Sequence, residues 1–469
     1  MVSSKHIQRS VLALAVPASL EAVFQMGLGF ADQVVIGHLG EVPMAAVGAI
    51  NSLMFVVTIV LGGLATGTAI IVARNQGRGD RDGTTRVIGS GLQIVVMVTA
   101  PLAAAGILWP EPLLLLLGVE PAVAEAGREY CRIIAFTLPL SLAGSVLVAA
   151  LRSMSDARTP MLITLAMVGV NTVLNLVLVF GLGPVPALGV VGSAYATLAS
   201  QVLRVAALSW RLARKHRAAP DLGHLLVRHQ PTSSMLIRLS SPIAMTQVLW
   251  ATGNLAYTIM GIHLGISAMV ATQVVNATEG IFIVLSSGLP SAALTLTGSS
   301  FGAGGVAQVK QQARQVIRIG MISAAMFGGA LALSSLWIHK AYPELNPAAL
   351  ELAVTGIVLN ALFQPAKVAN MVLGNGLLPA GGDTRFILLA DAVSVYAIGL
   401  PLALLLGFLL QLGLVGVFIA RLAEEVVKLG LFIWRYRGDR WHHSLGMAAP
   451  PGEGPAAREN AAAVLEVLP

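Results

Sequence analysis

The chain has 469 residues, of which 56% are hydrophobic, 11% charged and 5% aromatic, with a formal net charge of +7 and a mean hydropathy of +0.80. Soluble domains carry about 25% charged residues, so this composition excludes a soluble globular protein and indicates an integral membrane protein. The basic excess does not point to nucleic acid, because lysines and arginines are scattered through short segments between apolar runs, where membrane topology accounts for them.

Apolar runs of 20 or more residues predict helices rather than barrel strands, since backbone groups in lipid must be satisfied within the segment. Twelve spans are expected, near 10–37, 44–73, 86–108, 129–151, 160–183, 188–212, 236–262, 268–298, 316–337, 349–376, 386–409 and 412–435. The first lacks a short apolar core followed by a cleavage signal and is expected to be retained. It carries Glu21, Gln25 and Asp32. A helix turning about 100° per residue puts positions 21, 25, 28 and 32 within roughly 40° of one another. An ionisable group at membrane depth costs about 2.5–3.5 kcal/mol on insertion scales, so this stripe should face other helices or a wet cavity. A functional site and a buried carboxylate that only joins helices both remain open.

Cys131, the single cysteine, excludes an intrachain disulfide and reads as a small apolar packing residue. Loops on the N-terminal side hold most basic residues, among them Arg74, Arg78, Arg81, Arg152, Lys215 and Arg314, against chiefly Arg128, Arg132 and Lys340 opposite. The positive-inside rule then places both termini in the cytoplasm, as an even number of spans requires. The expected domains are an N-terminal six-helix lobe (1–210), a basic cytoplasmic linker (211–235), a C-terminal six-helix lobe (236–440) and a Pro- and Gly-rich tail (441–469) expected to be disordered. His442 and His443 have no further ligands beside them, and no metal site is expected there.

Sliding the chain along itself reveals a repeat. At an offset of 225, Pro17 meets Pro242, His38-Leu39-Gly40 meets His263-Leu264-Gly265, Asn51 meets Asn276, and Gly63-Leu64 meets Gly288-Leu289. At 227, Asp156 and Arg158 meet Asp383 and Arg385; at 224, Gly189 and Gly192 meet Gly413 and Gly416. The fold class expected is all-α, with two homologous six-helix bundles related by a pseudo-two-fold along the membrane normal, a design suited to alternating access. Chemistry is not repeated: Asp32 maps to Tyr257, and Glu279 maps to Met54.

The pattern Pro17…Glu21…Asp32…Gly37-His38-Leu39-Gly40, with RNQGRGD at 74–80, SDARTP at 155–160, GVVGSAYATLASQ at 189–201 and AGGDTRF at 380–386, resembles the multidrug and toxic compound extrusion (MATE) transporters, nearest to bacterial NorM and DinF-like members. The resemblance implies a secondary antiporter that exports cationic or amphipathic drugs or metabolites in exchange for H⁺ or Na⁺, acting as a monomer in the bacterial inner membrane. No cofactor, no nucleic-acid partner and no enzymatic activity are expected; small molecules and membrane lipid are the expected partners. It makes Asp32 the cation-coupling residue, with Asn171, Asn175 and Thr197 beside it and Na⁺ as the only metal expected there. Asn175 stands where some relatives have Asp, which removes a charge.

From the residues themselves, Asn171 and Asn175 lie one turn apart on one face and supply oxygen ligands or a hydrogen-bonded proton site. Hydrogen bonding between helices without ion binding is the alternative. Glu21 and Gln25 are supporting candidates. Glu279, Asn276, Gln247 and Met54 are candidates for a substrate cavity, although Glu279 reads equally as an acid paired with a polar neighbour. Arg421 and Glu425 are spaced for an i, i+4 ion pair. A lipid-linked oligosaccharide flippase of the same superfamily is the rival function, which an arginine-rich cavity would favour. A membrane enzyme would need a constellation such as HExxH, which is missing from the sequence.

Overall fold

The computed structural model describes residues 4–218, 229–438 and 441. The His442-His443 pair, most of the tail and the middle of the linker lie outside the described residues. Among the described residues there is no strand, and twelve long helical runs follow one another: α1 (Ser4–Gly37), α2 (Glu41–Arg78), α3 (Arg81–Leu108), α4 (Pro121–Ser153), α5 (Arg158–Phe180), α6 (Gly189–Arg211), α7 (Gln230–His263), α8 (Ile266–Gly302), α9 (Ala307–Ala341), α10 (Pro347–Ala380), α11 (Thr384–Leu409) and α12 (Gly413–Arg437). Nine of these are long and apolar enough to cross a membrane. The others, α6, α7 and α12, match them in length but are interrupted by polar groups; α12 carries Arg421, Glu424, Glu425 and Lys428 within about two turns.

Helices run beyond the apolar stretches that identify them. The seventh begins at Gln230 rather than 236, and Leu212–His216 prolongs α6 as a π-helical turn, so both ends of the expected linker 211–235 are helical. The repeat survives in backbone detail. Gly40 and Gly265 start α2 and α8 with φ of 107° and 101°, a region that favours glycine. At the ends of α1 and α7, Nδ1 of His38 lies 2.8 Å from the Val34 carbonyl and Nδ1 of His263 lies 2.9 Å from that of Ile259, each joining a last-turn carbonyl.

The chain divides into two compact units with boundaries inside helices: 20–244 forms one, and 1–19 with 245–469 forms the other. The sequence repeat divides at the linker, and the compact units divide after Ser19 in α1 and after Ala244 in α7. Each unit therefore contains the opening half-helix of the other repeat. Proline at 17 and 242 removes an intrahelical bond near each boundary and lets the helix axis change there.

In the 20–244 unit, Gly63 lies under α7: a Cβ there would stand 2.8 Å from the Ala244 nitrogen and 3.0 Å from the Ser240 carbonyl. In the other unit, a Cβ on Gly288 would stand 1.9 Å from the Ala15 carbonyl. The Ser19 hydroxyl donates to the Leu285 carbonyl at 2.6 Å and accepts from the Gly288 N–H at 3.1 Å. Small residues at such crossings let backbones approach closely where apolar burial gives helices little reason to associate in lipid. The first unit is filled by Ile36, Val47, Ile50, Leu114 and Tyr130 with a second cluster at Val95, Leu138 and Val146; the other is filled by Val275, Leu331, Ile357, Val417 and Phe418.

Candidate functional site

The polar centre of the 20–244 unit joins α1 to α5. Asn171 and Asn175 occupy one face of α5 and are both 1% exposed, whereas Asp32 is half-buried. The Asn175 Nδ2 donates to Asp32 Oδ1 at 2.7 Å and to Asn171 Oδ1 at 2.8 Å. The Asn171 Nδ2 and Asn175 Oδ1 are buried without a hydrogen-bond partner among the described residues, a cost that buried polar atoms rarely bear. A half-turn of the Asn175 amide would exchange its two ends. Its oxygen would then face both the carboxylate and the Asn171 oxygen, and three oxygens would converge, a donor set for a small hard cation or for a proton carried on Asp32. Close by in the same unit, the buried Tyr130 hydroxyl donates to Asn51 Oδ1 at 3.4 Å.

The polar stripe of α1 splits. Glu21, wholly buried, accepts from Arg152 at 2.8 Å and from the Thr164 hydroxyl at 3.2 Å, with Arg204 at 3.6 Å. It ties α1 to α4, α5 and α6, and eleven residues separate it from Asp32, about 16 Å along a helix. Gln25 is exposed and makes no hydrogen bond among the described residues. Thr197 is half-buried on α6 and no hydrogen bond joins it to Asp32, Asn171 or Asn175. Sequence reasoning missed Arg204 and took Arg152 for a loop cation; an arginine within a span needs a carboxylate partner, and that demand was the available signal.

The other unit holds a denser network. Lys367 on α10 bonds to Glu279 of α8 and to Asn360 of α10, so Glu279 is a paired acid. Lys428 on α12 lies 2.9 Å from Asp391, 3.7 Å from Glu424 and 4.0 Å from Glu425. Tyr257 donates to Glu424 at 2.7 Å, and Asn370 to Glu425 at 2.6 Å. The expected Arg421–Glu425 ion pair does not form; Arg421 donates instead to Asn254 at 3.3 Å and lies over the Tyr257 ring at 5.2 Å. A π-helical stretch, Val393–Gly399, sets Gly399 against the Tyr257–Glu424 pair. A cavity of about 50 Å³ lies between Trp250, Asn254, Tyr257, Lys367, Arg421 and Glu424, with space for a few waters but not for a drug-sized molecule. Gln247 is half-buried on α7 and Asn276 exposed on α8, while Met54 packs in the apolar clusters of the 20–244 unit.

The repeated Asp-x-Arg loops are held alike. Asp156 accepts from Thr159 N–H at 3.2 Å and hydroxyl at 2.9 Å, from Lys215 at 2.8 Å and lies 3.1 Å from His216. Burial pushes its carboxyl up, but the bonds from His216, Lys215 and Thr159 outweigh burial and hold it well below the usual carboxylate range. Asp383 takes two bonds from Arg435 of α12. In each repeat, a cation at the end of the sixth helix grips the loop acid.

A duplicated, polytopic helical membrane protein, with a carboxylate–amide centre in one unit and an ion-pair network in the other, defines a class of membrane transporter. Within that class the chain belongs to the MatE family, whose pattern matches residues 17–177 and 242–405, and it is a MATE transporter. It is 28% identical over 436 residues to the probable multidrug resistance protein NorM of Bradyrhizobium diazoefficiens, covering 91% of this chain and 92% of that one. It is 28% identical over 432 residues to the multidrug resistance protein NorM of Burkholderia vietnamiensis, covering 90% and 92%. Among solved structures, the fold is shared with the Vibrio cholerae MATE transporter VcmN (TM-score 0.85, 17% identity, 94% of this chain and 99% of that). It is also shared with a MOP superfamily transporter from Pyrococcus furiosus (TM-score 0.83, 19% identity, 94% and 99%).

Proposed function

We propose that this transporter is a multidrug exporter that expels cationic or amphipathic compounds by alternating access, driven by entry of H⁺ or Na⁺ at the Asp32–Asn175–Asn171 centre. It works as a monomer in the bacterial inner membrane, with both termini in the cytoplasm. The observation that carries the reading is the pairing of Asp32 with an amide whose opposite end is buried and unsatisfied. In one arrangement the Asn175 N–H satisfies the carboxylate. When a proton or Na⁺ arrives, the amide turns and its oxygen either accepts from the protonated carboxyl or coordinates Na⁺, so the α1–α5 hydrogen bond reverses direction or gives way to an ion bridge. An ion that binds one arrangement more tightly shifts the population toward it. The names of the curated relatives support multidrug export, and the basic residues on the side of the N-terminus support the orientation.

A flippase for lipid-linked oligosaccharides is less well supported, because the cations Lys367 and Lys428 are engaged by Glu279 and Asp391 instead of being available to a pyrophosphate. Efflux of a fluorescent cation from cells tests the reading. Asp32→Asn, expressed at the level of the parent, should abolish energy-dependent efflux; full efflux in that variant would overturn the assignment.

A further inference from the structure

At one end of the unit formed by 1–19 and 245–469, the start of α9 and the end of α12 line an open recess of about 390 Å³, with Lys310, Arg314, Arg318, Arg437, Tyr436 and Trp441 on its walls. Arg314, Arg318 and Arg437 are exposed and form no ion pair among the described residues, and the described lining contains no carboxylate. Guanidinium groups stay charged at any physiological pH and match phosphate geometry with two parallel N–H donors. The floor is fixed: Trp441 is 1% exposed, stacks on Tyr436 at 5.5 Å, meets the edge of Phe301 and donates Nε1–H to the Tyr436 carbonyl at 3.1 Å.

A second recess, of about 310 Å³, shares Ile317 and Tyr436 with the first and continues along the same helices. It is lined by apolar or small residues, among them Gly320, Ala369, Leu429 and Ile433. From Lys310 to Met321 the two recesses together cover about 16 Å of α9. Charge bias at a membrane face accounts for basic residues at this end in general. It does not account for their convergence on one recess that shares lining residues with an apolar recess along the same helices.

We infer that these adjoining recesses bind one anionic phospholipid, its phosphate among Arg314, Arg318 and Arg437 and an acyl chain in the groove between α9, α10 and α12. Basic pockets beside membrane helices take lipid headgroups by this chemistry, each cation adding to retention, and the groove adds burial of one chain.

Native mass spectrometry of the full-length protein in detergent, titrated with phosphatidylglycerol, tests the inference. The parent should retain one phosphatidylglycerol; Arg314→Gln with Arg318→Gln should weaken retention about tenfold or more, and the matching Lys pair, which keeps the charge but not the two parallel donors, should fall between the two. Ala369→Phe, or Leu429→Trp should the first variant lose its cooperative melting, should also release the lipid although every charge remains. Phosphatidylcholine should be retained at least about tenfold less well, and millimolar inorganic phosphate should not displace phosphatidylglycerol. Equal retention of the two lipids, or retention unchanged in the Gln pair, would overturn the site. Displacement by inorganic phosphate together with no effect of filling the groove would show a free-anion site and overturn the lipid assignment.

Discussion

Asn175 sets a single amide nitrogen 2.7 Å from Asp32 and 2.8 Å from Asn171, so one side chain of α5 holds the carboxylate of α1 and its own neighbour one turn back. A hydrogen bond to a charged group contributes about 1.5–3 kcal/mol, roughly ten- to hundredfold in an equilibrium. Asn175→Leu keeps the volume and removes both ends of the amide. Ion-driven efflux should fall by about tenfold or more, while a dye-binding assay without an ion gradient shows a protein of parental abundance and folding.

Glu21 answers a different need. It is the carboxylate for Arg152 and Arg204 and is itself wholly buried. Removing one partner of a buried pair costs about 3–5 kcal/mol because charges are left uncompensated. Glu21→Gln should lower the melting temperature of the detergent-purified protein by several degrees. The transport that remains should keep its dependence on the ion gradient, which separates this residue from Asp32.

The two repeat-related glycines give a paired test of the helix crossings. At Gly288 a Cβ would meet the Ala15 backbone, and at Gly63 it would meet that of Ala244 and Ser240. Backbone cannot move aside as a side-chain tip can, and overpacking costs about 1–3 kcal/mol or more. Gly288→Val and Gly63→Val should each reduce folded yield and melting temperature, with Gly288→Val the more severe because its contact is closer. Gly280→Ala, where nothing lies within 4 Å, should be tolerated.

Asp156 predicts a pH dependence. Its folded-state carboxyl is held below the usual range, so the stability it contributes is present above the unfolded value of about 3.9 and is lost as pH falls through that value toward the folded one. Melting temperature measured from pH 7 to pH 3 should decline in the parent below about pH 4.5. Asp156→Asn should melt lower at pH 7 and show a flatter profile over the acid range.

The helical class, the spans and the duplication were legible because apolar length and a constant offset survive in the residues themselves. Asp32, Asn171 and Asn175 were legible as polar groups at membrane depth with helical spacing. The capture of Glu21 by Arg152 and Arg204 was not, since partners 131 and 183 positions away meet only through helix packing. For the same reason the periodicity that grouped Glu21, Gln25 and Asp32 on one face did not show that one end of the face is buried and the middle is exposed. The unit boundaries within α1 and α7 were hidden too: Pro17 and Pro242 each remove an intrahelical bond, but only the close approaches at Gly63 and Gly288 reveal where each half-helix packs.

Asp32 is the proposed point of entry for the driving ion. Purified protein in proteoliposomes, loaded with a fluorescent cation and exposed separately to an inward Na⁺ gradient and an inward proton gradient, tests this directly. The parent should expel the dye under one of the two gradients, and Asp32→Asn should expel none under either while retaining its melting transition. Gradient-driven export by Asp32→Asn at the parental rate would contradict the account.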